Sequence, residues 1–172
     1  MTIAEIAAEA DVGFGTFYNY FDSKEAVLDA AAVEAVAAHA RALREGAGRY
    51  TDVAAALAAG LRVTVRLIDA DPIWGGFVVR VGLSERRLWA ALAERLGETI
   101  VRGAASGRFQ APDPEAATVV IGGAMIAIMQ ARLLGELGAD ADQTLASAAL
   151  RILGLPATEA DALAAAPWPP SG

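Results

Sequence analysis

The chain has 172 residues, of which 55% are hydrophobic, 42 are alanine and 6% are aromatic. Alanine favours closely packed helices, whereas sheets usually need branched and aromatic residues, so the composition predicts an all-α fold. The absence of cysteine excludes disulfide scaffolds and thiolate metal sites. With a net charge of −7, any nucleic-acid contact must come from a local site, because general affinity needs cations that neutralise phosphates. No secretion signal opens the chain, so we expect a cytoplasmic protein.

Two short helices are predicted at the start of the chain, over residues 3–10 and 15–21. Thr2 and Glu5 form a capping box, in which a hydroxyl and a carboxylate three residues apart satisfy the first free N–H groups. Residues 11–13 (Asp-Val-Gly) end the first helix, since Asp tolerates the left-handed conformation and Gly adopts it freely. Two such helices joined by a tight turn have the proportions of a helix-turn-helix.

The second short helix carries both core and polar residues. Phe17 and Phe21 lie four residues apart and are interpreted as core. The polar side chains are those of Thr16, Tyr18, Asn19 and Tyr20. Phosphate oxygens would accept hydrogen bonds from these donors, and Lys24 follows in the first turn of the next helix, where an anion is favoured. From composition alone, a small aromatic hairpin with solvated polar residues remains an alternative.

Six further helices are predicted from capping residues, Gly and Pro breaks and apolar spacing. They run from Asp22 or Ser23 to Arg44, from Thr51 or Asp52 to Asp69, over residues 73–81, from Ser84 to Ser106, over residues 113–134 and over residues 140–153. Beyond these the sequence lacks periodicity, which predicts a disordered tail.

The run over residues 116–131 contains no charged residue. A membrane span needs about twenty such residues, and Glu115 and Arg132 bound this run. A buried bundle helix is therefore favoured, with a membrane-associated helical protein as the weaker alternative. Because nearly its whole circumference is apolar, we expect a partner subunit to cover part of it.

The N-terminal sequence resembles the tetracycline-repressor (TetR) family of bacterial transcription regulators. The resemblance lies in residues 2–7 (TIAEIA) and residues 13–28 (GFGTFYNYFDSKEAVL). It implies an effector-responsive regulator, usually a repressor, that acts as a homodimer on a palindromic double-stranded DNA operator. It also implies dimerisation through the last two long helices, here residues 113–134 and 140–153.

Carried over by position, the resemblance assigns DNA-binding roles within the second short helix and at Lys24. Phosphate contacts are implied for Thr16, Tyr18 and Lys24, and groove-facing positions for Phe14, Gly15, Asn19 and Tyr20. Phe14 lies where many relatives carry a basic or polar residue; it can touch a thymine methyl group but cannot make a bidentate bond to guanine. Gly13 replaces the usual hydroxyl cap and is a weaker one.

The family pattern normally has a first helix before this motif, and here the sequence begins directly at the second. We therefore expect either a truncated or mis-started chain or an impaired DNA-binding half. The alternative function is a dimeric helical protein that binds a small molecule, with impaired or absent DNA binding.

Three segments are expected. Residues 1–45 form an incomplete helix-turn-helix DNA-binding domain with its connecting helix, residues 46–154 form the ligand-binding and dimerisation domain, and residues 155–172 are the tail. The effector is expected to be a small hydrophobic or amphipathic molecule. The large apolar residues predicted to surround it, each with plain core as the alternative, are Trp74, Phe77, Trp89, Met125 and Met129. No catalytic dyad, phosphate loop or metal-ligand spacing is found, so the sequence predicts no enzyme, no cofactor and no metal.

Overall fold

The computed structural model describes residues 21–46, 50–111 and 113–167. Over these residues the secondary structure consists of seven α-helices and no strands, which confirms the all-α prediction. The helices are α1 (Lys24–Gly46), α2 (Val53–Ala70), α3 (Pro72–Val81), α4 (Arg86–Ala105), α5 (Pro114–Leu133), α6 (Ala141–Ile152) and α7 (Ala157–Ala165). The predicted helices at 3–10 and 15–21 lie outside the described residues, except for Phe21, which is not helical.

Four helices begin beside a side chain that accepts a hydrogen bond from a backbone N–H of the first turn. The acceptors are Ser23 (3.1 Å from Ala26 N), Asp52 (3.1 Å from Ala54 N), Asp71 (2.9 Å from Trp74 N) and Asp113 (2.9 Å from Ala116 N). Pro72 and Pro114 stand at the first positions of α3 and α5, where a backbone N–H has no partner within the helix. The positions at which these helices begin are therefore determined by capping residues and prolines next to them in the sequence.

The central helix is α2. Ten of its 18 residues are buried, and it contacts α1, α3, α4, α5, α6 and α7. Its buried residues include Leu57, Leu61 and Thr64, which follow the helical spacing of three or four residues. One face of α2 thus contributes to the core and, as described below, to a cavity.

By length and composition, α5 is the one helix within the described residues that could cross a membrane. It packs against α2, α3, α4 and α6, as the core helix of a bundle does. The residues it buries there are Ile121, Gly122, Met125, Ile126 and Met129. Its opposite face is exposed, with Val119 and Val120 more than half accessible to solvent.

The predicted tail is wrong for residues 157–165, which form α7. This helix buries only the small side chains of Ala160 and Ala164, so it has no large apolar stripe for a periodicity argument to detect. Long-range contacts hold it instead. Arg108 pairs with Glu159 at 2.7 Å, and Arg62 donates to the Ala166 carbonyl at 2.6 Å.

Candidate effector-binding cavity

A cavity of about 220 Å³ lies between α1, α2, α4 and α5. Its apolar wall consists of Leu43, Leu57, Leu61, Leu92, Leu96 and Met125. Its polar lining consists of His39, Tyr50, Thr64, Arg95, Thr99 and Arg102. Pockets for drug-sized ligands usually measure about 300–1,000 Å³, so this cavity suits a smaller molecule.

His39 is the best-defined polar group of the cavity. It is buried, and its Nε2 lies 2.8 Å from Thr64 Oγ1. The Thr64 hydroxyl donates its only proton to the Gly60 carbonyl at 2.9 Å. With that proton assigned to Gly60, the Thr64 oxygen accepts a hydrogen bond from His39 Nε2–H, an assignment that places the lone pair of His39 on Nδ1.

The His39 imidazole is held in its neutral form. Burial, and after it the positive charge of Arg95, lower the pKa of His39 from 6.5 to about 4. Among the described residues no group forms a hydrogen bond with Nδ1. Because His39 lines the cavity, Nδ1 is an acceptor available to a ligand hydroxyl.

Trp74 packs against His39 and helps to fix its position. The two rings stack with centroids 6.1 Å apart and an interplanar angle of 25°. The Trp74 indole Nε1 donates to the Ala35 carbonyl of α1 at 2.9 Å. Since Ala35 precedes His39 by one turn, this bond fastens α3 to the part of α1 that carries His39.

Arg95 and Arg102 supply the charge of the cavity. They lie on α4 with Thr99 between them, and Arg102 Nη2 is 3.4 Å from Thr99 Oγ1. The Thr99 hydroxyl donates to the Arg95 carbonyl at 2.7 Å, so its oxygen is free to accept from Arg102. The lining contains no carboxylate.

Of the five apolar residues predicted to surround an effector, Met125 lines the cavity. Trp74 and Met129 are buried in the core, Phe77 packs against it, and Trp89 is half-buried with its ring against Gly122. These four are not among the lining residues, although Trp74 acts on the cavity through His39.

Most of the predicted DNA-binding residues lie outside the part of the chain that the structure describes. The positions that lie outside the described residues are Phe14, Gly15, Thr16, Tyr18, Asn19 and Tyr20. Lys24 begins α1, and the placement of its side chain is not described. Among the described residues, no three His, Asp or Glu side chains converge as metal ligands would.

The sequence argument missed the polar half of the cavity. His39 is the only histidine of the chain and stands in an alanine-rich helix, and Thr64 interrupts the apolar run of α2. Each residue stands out from its sequence neighbours. Their hydrogen bond, however, joins positions 25 residues apart and is apparent only in the folded structure.

These features define a class: helical regulators that carry a DNA-binding motif at the N-terminus and a small-molecule cavity in the domain that follows. The family described as "Bacterial regulatory proteins, tetR family" matches residues 1–31, and "Tetracyclin repressor-like, C-terminal domain" matches residues 52–166. The chain belongs to the TetR family of transcription regulators. Members of this family bind DNA, respond to small-molecule effectors and are generally not enzymes.

Solved structures agree with this assignment. RolR without ligand has 36% sequence identity and a TM-score of 0.78, with 100% of this chain and 90% of that chain covered. RolR in complex with resorcinol has 36% identity and a TM-score of 0.79, with 100% and 86% covered. The fatty acid degradation regulator FadR from Bacillus halodurans has 23% identity and a TM-score of 0.67 over 90% and 89%, a likeness of fold alone. No curated protein sequence matches the chain.

Proposed function

We propose that the protein is a cytoplasmic repressor that binds a palindromic operator as a homodimer and releases it when a small aromatic compound enters the cavity. The observation that carries this proposal is the path of α1. Its first residues belong to the match with the DNA-binding family pattern, which ends at residue 31. Further along the same helix, His39 and Leu43 line the cavity.

A ligand can act on DNA binding through this helix. The buried stripe of α1 consists of Ala32, Ala35, His39 and Leu43, which fasten the helix to the effector domain. A compound that moves His39 or Leu43 therefore moves the helix that enters the DNA-binding segment. It shifts the protein toward the released state to the extent that it binds that state more tightly.

The RolR complex with resorcinol supports an aromatic effector, because RolR is 36% identical to this chain in a match that covers 100% of this chain and 86% of RolR. In this chain the leucines and Met125 offer an apolar surface to a ring, and His39 Nδ1 offers an acceptor to a ring hydroxyl.

The exposed apolar residues support a homodimer built on residues 113–134 and 140–153. Of the ten large hydrophobic residues exposed in the described part of the chain, six lie on α5, on the turn after it or on α6. They are Val119, Val120, Leu133, Leu134, Leu137 and Ile152. Gly123 lies on the same helix with open space beside it, whereas Ile126 is 3% exposed and belongs to the core of its own subunit.

The DNA contacts remain those that the resemblance implies. We expect Thr16, Tyr18 and Lys24 to bind phosphates, so that their replacement weakens binding to all sequences alike. Phe14, Gly15, Asn19 and Tyr20 are expected to face the groove. Of these, Asn19 is able to select adenine.

The oligomeric state is tested by light scattering on two matched variants. Val120 and Val101 are each 54% exposed, but only Val120 lies on the proposed interface. Val120→Arg should give monomers, because it buries an unpaired charge at the interface, and Val101→Arg should leave the dimer intact. A wild-type monomer, or equal masses for both variants, would contradict the homodimer.

Operator binding is tested by fluorescence anisotropy on DNA from upstream of the gene, with resorcinol as the first compound added. The proposal expects sequence-specific, salt-sensitive binding that Lys24→Ala weakens and that the compound reverses. Absence of sequence-specific binding would contradict the repressor function.

A further inference from the structure

The cavity is positively charged, and this charge is concentrated on one helix. Arg95 and Arg102 are seven residues apart, which places them about two turns apart on the same face of α4. Within the described residues neither guanidinium group forms an ion pair. Both residues are exposed to solvent, so a ligand in the cavity can pair with them without breaking an ion pair of the protein.

The charge of the chain is unevenly distributed along the sequence. Residues 46–110 contain nine basic and six acidic residues, whereas residues 1–45 contain three and eight, and residues 111–172 contain two and seven. Both arginines belong to the one positive stretch of an acidic chain. Screening confines the effect of a charge to about 8 Å at physiological salt, so an anion in the cavity is attracted mainly by the two arginines of its lining.

We propose that the effector is an arene carboxylate, a monoanion whose carboxylate is bound by Arg95 and Arg102. This inference rests on the proposed function of the cavity and specifies the charge of its ligand. Guanidinium groups bind carboxylates through paired, charge-assisted hydrogen bonds. The ring lies against Leu57, Leu61 and Met125, and a ring hydroxyl donates to His39 Nδ1.

The other ligand charges fit less well. A cation would be repelled by two guanidinium groups with no carboxylate in the lining to offset them. A neutral phenol can donate a hydrogen bond to His39, but it carries no negative charge that could form an ion pair with the arginines. Neutral imidazole adds no charge of its own, so the anion is recognised by the arginines alone.

The test is isothermal titration calorimetry with the full chain near neutral pH and two matched pairs of probes. Benzoate is compared with benzamide, which has nearly the same shape and no charge, and 3-hydroxybenzoate is compared with resorcinol. Each carboxylate should bind at least about tenfold more tightly than its neutral counterpart, the lower end of what charge-assisted hydrogen bonds contribute. The hydroxyl of 3-hydroxybenzoate should add affinity over benzoate.

Variants assign the preference to the two arginines. Arg95→Gln and Arg102→Gln should each lower the affinity for the carboxylate about tenfold and leave that for the amide unchanged. Arg102→Lys should recover part of the loss, because it keeps the charge but not the planar fork. Arg86→Gln, an exposed position of the same helix outside the lining, is the control and should change neither affinity. Circular dichroism verifies that each variant is folded.

The outcomes separate this inference from the proposed function. If resorcinol or benzamide binds as tightly as the carboxylates, or if the glutamine variants weaken both members of a pair equally, the anionic effector is refuted. Release of the operator by a neutral compound bound in the cavity would then still support the regulator. If no probe of either charge binds, the effector site itself is refuted together with this inference.

Discussion

His39 should make the stability of the protein depend on pH. Burial and the charge of Arg95 lower its pKa from 6.5 to about 4 in the folded protein. In the unfolded chain the imidazole has its ordinary pKa, so between these values the unfolded state binds more protons. The free energy of unfolding therefore rises with pH across this window. The stabilising contribution is complete above pH 6.5 and is lost as the pH falls toward 4.

The size of the effect follows from the two pKa values. One pKa unit corresponds to about 1.4 kcal/mol, so the whole window is worth about 3 kcal/mol. Between about pH 7.5 and about pH 5, where carboxylates still carry most of their charge, the expected loss is about 2 kcal/mol. This loss is a sizeable part of the free energy of unfolding of a folded domain, which is about 5–15 kcal/mol.

Urea unfolding of the wild type and of His39→Gln, at constant protein concentration, measures this loss. Glutamine retains an N–H donor for Thr64 but does not titrate, so the variant should lose most of the pH dependence between about pH 7.5 and about pH 5. His39 is the only histidine, so its NMR titration is also unambiguous. Equal pH dependence in both proteins, or an NMR pKa near 6.5, would refute the buried neutral imidazole.

Four further substitutions test the packing around the site by urea or thermal unfolding. Trp74→Phe removes the hydrogen bond to the Ala35 carbonyl and should cost about 1–2 kcal/mol; an unchanged stability would mean that this bond does not fasten α1. Gly122→Ala places a Cβ 2.6 Å from the Trp89 ring and should cost about 1–3 kcal/mol. Gly76→Ala meets nothing within 4 Å and should instead stabilise by up to about 1 kcal/mol; equal effects of the two alanines would contradict the close packing of α4 and α5. Arg108→Gln breaks ion pairs with Asp52 and Glu159 that are partly exposed, so it should cost about 1 kcal/mol or less and lose its effect at high salt, whereas a salt-independent cost would point to packing.

The fold could be predicted largely because its helix boundaries depend on neighbouring residues. Asp71 before Pro72 and Asp113 before Pro114 act over one helical turn, and the structure contains both caps. The sequence around α7 contains no comparable capping signal. This helix is held in place by Arg108 and Arg62, which are distant from it in the sequence. A tail was therefore predicted where a helix packs.

The cavity was harder to predict, because its residues come from four helices and from Tyr50 in the connection between two of them. The nearly uniform apolar surface of α5 does not reveal which side faces inward, so Met125 and Met129 could not be distinguished by sequence although only Met125 lines the cavity. Ile126 and Gly123 differ in the same way, one buried and the other beside open space. Polar lining residues were missed because a threonine or arginine on a helix is usually solvated, and only the packing of α4 on α2 makes them neighbours.

Blocking the cavity tests most directly whether it controls DNA binding. Ala56 lines the cavity, while Ala55 beside it on α2 is also half-buried but lies outside the lining. Operator anisotropy is measured for Ala56→Phe and for Ala55→Phe as the control, with and without a compound that releases the wild type. We expect Ala56→Phe to bind the operator with wild-type affinity and to retain it when the compound is added, whereas Ala55→Phe releases it. Release of the operator from Ala56→Phe at wild-type compound concentrations would contradict the role assigned to the cavity.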